Sequence, residues 1–184
     1  MGRVRYNVAA TLDGYIASPD GSTDWIVEDP TIDFAELFAQ FDSFIMGRKT
    51  WETLLGFGDK NPLRNMKSAK ISIASTTLNG NVQENRNITL LRNEDEILQW
   101  VRSRKDQSCG KDLWVYGGGA LCEILLRAGL VETVEVAIMP VLIGKGIKLV
   151  EPRDGQSPEW RLSLQEVNAL KSGIVMSRYL VLYQ

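Results

Sequence analysis

The chain has 184 residues, 44% of them hydrophobic and 24% charged, proportions that suit one ordinary globular domain with a sizeable core. Twenty-one Lys and Arg stand against 23 Asp and Glu, a formal net charge of -2, so no overall basic field points to nucleic acid or an anionic membrane. Histidine is absent, which excludes His-based nucleophile triads, His-ligated metals and histidine acid–base chemistry.

The two cysteines, Cys109 and Cys122, are too few for a disulfide scaffold and lack zinc-site spacing. No metal site and a reduced, cytoplasmic setting are therefore expected. Residues 1–20 carry no apolar core of signal-peptide type, and no run reaches the roughly 18 apolar residues of a membrane span. A soluble protein is expected.

In chain order, RVRYNVAATL reads as a strand, followed by DGYIASPDGSTDW with Asp13-Gly14 and Asp20-Gly21 as turn signals. TIDFAELFAQF places Ile32, Phe34, Ala35, Leu37, Phe38 and Phe41 mostly along one helical face, with Thr31 or Asp33 available as cap. DSFIMG is a short buried strand, RKTWETLLGF a helical turn or two, and AKISIAST and NITLLR two further strands. NEDEILQWVRSRK starts with Asn93 and has Glu96 three residues later, a capping-box start to an amphipathic helix. KDLWVYGGG is a buried strand, ALCEILLRAGL a helix ended by Gly129, and VETVEVAIMPVLIG a strand again. The tail reads as two strands around Lys171-Ser172-Gly173, a hairpin. Strands alternate with helices to about residue 130 and then stand alone, so the pattern predicts one α/β domain over 1–184, a mixed sheet flanked by helices.

Two segments share one grammar of apolar strand, glycine and helix: FIMGRKTWETLL and WVYGGGALCEILL. A helix N-terminus carries unpaired N–H groups and about half a positive charge, and glycine lets an anionic oxygen approach without a clashing Cβ. Two such junctions suggest one ligand with several phosphates. Arg48, Lys49 and Thr50 add a planar fork, a point charge and a hydroxyl to the first. The competing readings are solvated charges at a helix start and a tight structural turn at Gly117 to Gly119. The Walker pattern fails, because GGGALCEI supplies no Gly-Lys-Ser/Thr, and the Rossmann fingerprint fails because Cys122 stands where its third glycine belongs.

ATLDGYIASPDGSTDW, DSFIMGRKTWE, VYGGGALCEILL and PVLIGKGIKLV occur in an order that resembles the dihydrofolate reductase-like superfamily, most closely the branch related to the reductase domain of the riboflavin-biosynthesis deaminase-reductase. The resemblance spans the domain nearly end to end. It implies a three-layer α/β/α fold around a mixed sheet and NADPH bound across the sheet's carboxyl edge. It assigns Gly47, Arg48, Lys49 and Thr50 to cofactor phosphates, with Arg48 on the adenosine 2′-phosphate and Lys49 or Thr50 helping. Ser75 and Thr76 are implied as hydroxyl partners.

Gly117, Gly118 and Gly119, with the N–H groups of Ala120 and Leu121, are implied at the pyrophosphate, and Ala9 and Ile16 beside the nicotinamide. Asp13 to Trp25 resembles the mobile cover over the ring, placing Asp13 and Trp25 on the substrate side, although core packing also accounts for Ile16 and Trp25. Asp33 is the nearest counterpart of the carboxylate that anchors a pteridine, and a simple helix-start role is the alternative. With no histidine in the chain, the proton that accompanies a hydride comes from water or a carboxylate, for which Asp33 is the candidate. The TLDGYIA opening fits the non-folate branch better than folate reduction. Lys145 stands either at the pocket mouth or on an exposed loop.

The expectation is an NADPH-dependent reductase of a small planar heterocycle or carbonyl compound, pterin-like or pyrimidine-like, and a homodimer by resemblance. The alternative is a non-catalytic NADP(H)-binding sensor or assembly subunit.

Overall fold

A computed structural model describes residues 2–78, 87–107, 110–152 and 158–183. Cys109 lies outside the described residues. The elements are β1 (Val4–Thr11), β2 (Tyr15–Ala17), α1 (Phe34–Ala39), β3 (Phe41–Gly47), α2 (Arg48–Gly56), β4 (Lys70–Ala74), β5 (Ile88–Leu91), α3 (Glu94–Gln107), β6 (Asp112–Gly117), α4 (Gly119–Arg127), β7 (Thr133–Met139), β8 (Ile147–Lys148), β9 (Arg161–Ala169) and β10 (Val175–Leu182).

Eight strands form one sheet in the order β5-β4-β3-β6-β1-β7-β10-β9. The strands from β5 to β7 run parallel, and β10 and β9 close the sheet antiparallel, so it is mixed, as the sequence predicts. Apolar side chains leave it on both faces. Val4, Tyr6 and Ala10 of β1 and Val134 and Val136 of β7 pack with Ile97 and Val101 of α3 and with Leu121, Ile124 and Leu125 of α4. On the opposite face Phe44 and Met46 of β3 and Trp114 of β6 pack with Leu54 of α2 and with Leu37 and Phe38 of α1. Three layers result, because a sheet apolar on both faces must be covered twice.

The cap forms with one change of partner: Glu96 N donates to Asn93 Oδ1 at 2.9 Å, while the Glu96 carboxylate accepts from Arg92 N, one residue before the cap, at 2.7 Å. The tail hairpin also forms, with Gly173 at φ 88° and its N–H donating to Leu170 O at 3.0 Å.

Two local expectations change. The helix read over 31–41 is only Phe34–Ala39, because Phe41 begins β3 and the wider apolar face does not survive the switch to strand. The strand read to residue 144 stops at Met139, ahead of Pro140, and Ile147–Lys148 pairs instead with β2. This small two-stranded sheet is a long-range pairing with no periodicity to announce it.

The segment after β7 is strapped onto the core. Tyr6 Oη donates to Leu149 O at 2.7 Å, and Leu149 N donates to Gly14 O at 2.9 Å. Glycines make the approach possible: a Cβ on Gly119 would lie 2.3 Å from Lys148 O, and one on Gly146 would lie 2.2 Å from Ala17 O. Among the described residues no helix is long and apolar enough to cross a membrane.

Candidate functional site

A cavity of about 860 Å³ opens at the carboxyl ends of the parallel strands. That edge of an open α/β sheet is where helices start and their unpaired N–H groups gather.

Both glycine junctions reach it and touch each other. A Cβ on Gly117 would lie 3.5 Å from Thr50 Oγ1, and one on Gly47 would lie 4.0 Å from Gly117 O. Gly47 and Gly118 are the N-caps of α2 and α4, and among the described residues neither helix end has a side-chain cap.

The three consecutive glycines answer to three different demands. Gly117 has φ 141°, a conformation side-chain-bearing residues rarely adopt, and its peptide to Gly118 is cis. Gly118 is extended and has open space where a Cβ would stand. Gly119 admits the backbone of Lys148. The tight turn thus falls on Gly117, the close approach at Gly119 is by protein backbone, and Gly118 keeps open space beside them.

The cavity wall brings together Ala9, Ile16, Gly47, Arg48, Lys49, Thr50, Ser75, Thr76, Gly117, Gly118, Gly119, Ala120 and Leu121. Several of these groups already have partners. Arg48 Nη1 donates to Glu52 Oε1 at 2.7 Å, one helical turn on. Ser75 Oγ accepts from Leu78 N at 2.9 Å and holds its own turn. Leu121 N donates back to Gly118 O at 3.1 Å, which leaves the earlier N–H groups of α4 as the better anion donors.

The substrate-side residues stand elsewhere. Asp33 is exposed and accepts from Glu36 N at 2.9 Å, so its carboxylate caps α1, and the cavity is lined by Phe34 beside it. Asp13 is exposed and accepts from Thr11 Oγ1 at 2.6 Å and Gly144 N at 2.7 Å, pinning the β7–β8 connection onto the end of β1. These contacts, the Thr11 hydroxyl first, hold its carboxyl below the ordinary value of 3.8. Trp25 is half-buried and its indole N–H meets no acceptor among the described residues, while the loop touches the cavity through Thr23 and Ile26. Lys145 is exposed and away from the wall.

Arg92, Asn7, Phe38, Trp114 and Tyr116 also line the cavity and are functional candidates the sequence reading passed over. Arg92 Nη1 donates to Leu78 O at 2.8 Å, fixing the turn beyond β4. Its position after a parallel strand was the available signal. Tyr116 sits immediately before the glycines, and burial pushes its hydroxyl up to about 12, so it stays protonated at neutral pH.

Comparison with known proteins agrees with this architecture. The family model for the RibD C-terminal domain matches residues 3–176. The uncharacterized protein YyaP of Bacillus subtilis is 31% identical over 187 residues, covering 96% of this chain and 94% of that protein. Among solved structures, a Shewanella sp. PV-4 protein assigned provisionally to riboflavin biosynthesis superposes with a TM-score of 0.79 at 20% identity, over 100% of both chains. A diaminohydroxyphosphoribosylaminopyrimidine deaminase/5-amino-6-(5-phosphoribosylamino)uracil reductase of Thermotoga maritima gives 0.68 at 16% identity, covering 98% of this chain and 57% of that one.

Proposed function

Because the chain belongs to the RibD C-terminal domain family, we propose that it is an NADPH-dependent reductase of a small planar substrate, pyrimidine-like or pterin-like. The observation that carries this reading is the meeting of two uncapped, glycine-led helix N-termini with Arg48, Lys49 and Arg92 around one cavity at the carboxyl edge of a parallel sheet. Adjacent phosphates fit such a wall: each helix end offers oriented N–H groups, and Gly118 leaves the space that a side chain would fill.

In this reading the N-terminus of α4 holds the pyrophosphate, and Arg48 turns from Glu52 to a 2′-phosphate. The turn from Ser75 to Leu78, held by Arg92, flanks the adenosine end. Ala9, Ile16 and Ala137 provide a flat, uncharged floor for the nicotinamide. When bound, the cofactor supplies a hydride to an electrophilic C=N or C=O carbon. The chain's own contribution is placement, exclusion of water and a proton for the acceptor's heteroatom. With Asp33 engaged as a helix cap, the Tyr116 hydroxyl is the proton donor on the wall, replenished from solvent. By the same family membership we place it in a reduced, cytoplasmic setting and as a homodimer, for which the half-exposed Leu162, Leu164 and Val167 of β9 offer an apolar surface.

Titration with NADPH and NADH, followed by nicotinamide fluorescence, tests the reading. Arg48→Ala should weaken NADPH by about ten- to a hundredfold, the equivalent of a charge-assisted contact of roughly 1.5–3 kcal/mol, and leave NADH nearly unchanged. Equal weakening of both removes the 2′-phosphate role. Absence of binding by either removes the cofactor reading, and tight binding without turnover on any pyrimidine, pterin or carbonyl acceptor identifies a non-catalytic NADP(H)-binding protein.

A further inference from the structure

The charged residues of the cavity wall come from few places. Arg48 and Lys49 open α2, Arg92 and Glu94 lie at the start of α3, and Glu151 follows β8. Among the described residues, α1, β1, β6, β7 and β10 contribute no charged group to the wall.

What those elements contribute is uncharged and includes three packed rings. Phe38 and Trp114 have ring centroids 4.9 Å apart, Trp114 and Tyr116 5.0 Å, and Phe38 and Tyr116 6.5 Å, with interplanar angles of 36°, 32° and 38°. The separations are those of interacting rings, so the three form one continuous wall. Its rim is apolar and open to water: Phe34 is 58% exposed, Phe57 46% and Ile26 39%, and all three line the cavity. Large apolar side chains left exposed together at a cavity mouth mark a surface that a ligand covers.

Two polar groups break this wall. No described residue accepts from or donates to the Tyr116 hydroxyl. Asn7 Nδ2 donates to Glu135 Oε2 at 3.0 Å, which turns the amide and leaves its oxygen as an acceptor. One donor and one acceptor beside three rings describe a partner that is flat, neutral and able to make both kinds of hydrogen bond.

We propose that the compartment walled by Phe38, Trp114 and Tyr116 takes an uncharged, flat heterocycle bearing carbonyl and N–H groups and no phosphate. Under the reductase reading, on which its role as hydride acceptor rests, this substrate class differs from the phosphoribosyl compound in the name of the Thermotoga maritima protein. A phosphate dianion placed against these rings would lose water without gaining a cation from α1, β1, β6, β7 or β10. A basic side chain outside the cavity wall is Lys60, exposed on the adjoining groove that Phe38 and Tyr116 share with Pro62 and Met66.

The test is equilibrium binding to the intact protein, read by tryptophan fluorescence and thermal shift. The probes are quinazoline-2,4-dione, 5-amino-6-(ribosylamino)uracil and its 5′-phosphate. The two uncharged rings should bind, and the phosphate should gain nothing over its dephosphorylated partner. Phe38→Leu should weaken the uncharged rings by about three- to tenfold. Tyr116→Phe should weaken them by about two- to tenfold, with the NADPH dissociation constant unmoved in both variants.

A phosphorylated probe binding tenfold or more tightly than its partner overturns the proposal, and loss of that preference in Lys60→Ala would place the phosphate. NADPH binding with no affinity for any uncharged ring overturns it as well. Uncharged rings that bind a protein with no affinity for NADPH would sink the cofactor reading and leave this compartment as assigned.

Discussion

Arg5 and Glu135 meet diagonally across neighbouring strands β1 and β7 in a two-pronged ion pair, Nε to Oε1 and Nη2 to Oε2, both at 2.7 Å. The pair is buried, and it is the centre of a row. Asp112 lies on one side, 3.1 Å from Arg5, and Arg178 on the other, 3.4 Å from Glu135 and 3.0 Å from Glu166. Charges of alternating sign thus cross β6, β1, β7, β10 and β9, and Glu135 also orients Asn7 at the cavity floor.

Removing one partner should be far worse than removing both. Glu135→Leu leaves a buried guanidinium short of its main acceptor and should cost about 3–5 kcal/mol in urea denaturation. The double variant Arg5→Met with Glu135→Leu should be more stable than that single variant. A double variant as unstable as the sum of the singles would mean that the pair contributes nothing beyond packing.

Gly118 and Gly119 should separate ligand approach from packing. Gly119→Ala drives a Cβ against Lys148 O and should destabilise by about 1–3 kcal/mol, as overpacking does. Gly118→Ala meets open space and should stay within about 1 kcal/mol of the parent. Its NADPH affinity should nevertheless fall about tenfold, the equivalent of about 1.4 kcal/mol. Unchanged affinity in Gly118→Ala would detach the glycines from the cofactor.

Asp33 distinguishes a cap from a catalyst. Asp33→Ala should lower stability by about 1 kcal/mol and Asp33→Ser should restore most of it, because either side chain accepts from Glu36 N. Steady-state turnover should be the same in all three proteins. A fall in kcat in the serine variant with stability intact would return Asp33 to the reaction.

Asp13 gives a pH dependence of known sign. Its folded pKa lies below the unfolded value of 3.8, so its stabilising effect is complete above that value and is lost as pH falls through the folded pKa. Melting temperatures from pH 6 to pH 2 should therefore show the parent losing its advantage over Asp13→Asn at the acid end. A constant difference between the two across this range would show that the bonds to Thr11 and Gly144 do not depend on charge.

The sequence by itself determined the elements whose signals are local. Alternation in Val4, Tyr6 and Ala10, the box of Asn93 and Glu96, and glycine after a strand at residues 47 and 117 each report backbone preferences set within a few residues. That was enough for the mixed, helix-flanked sheet and for naming cavity-wall residues in both junctions. Only the tertiary structure decided which groups were already taken. Asp33 is held by its own helix, Arg48 by Glu52 and Ser75 by its own turn, while Gly119 answers to a backbone 29 residues away. It also set Phe38 of α1 against Trp114 and Tyr116 of β6, nearly eighty positions on. Periodicity records which face of an element is apolar, and the partner of that face is fixed only when strands far apart in the chain come to lie side by side.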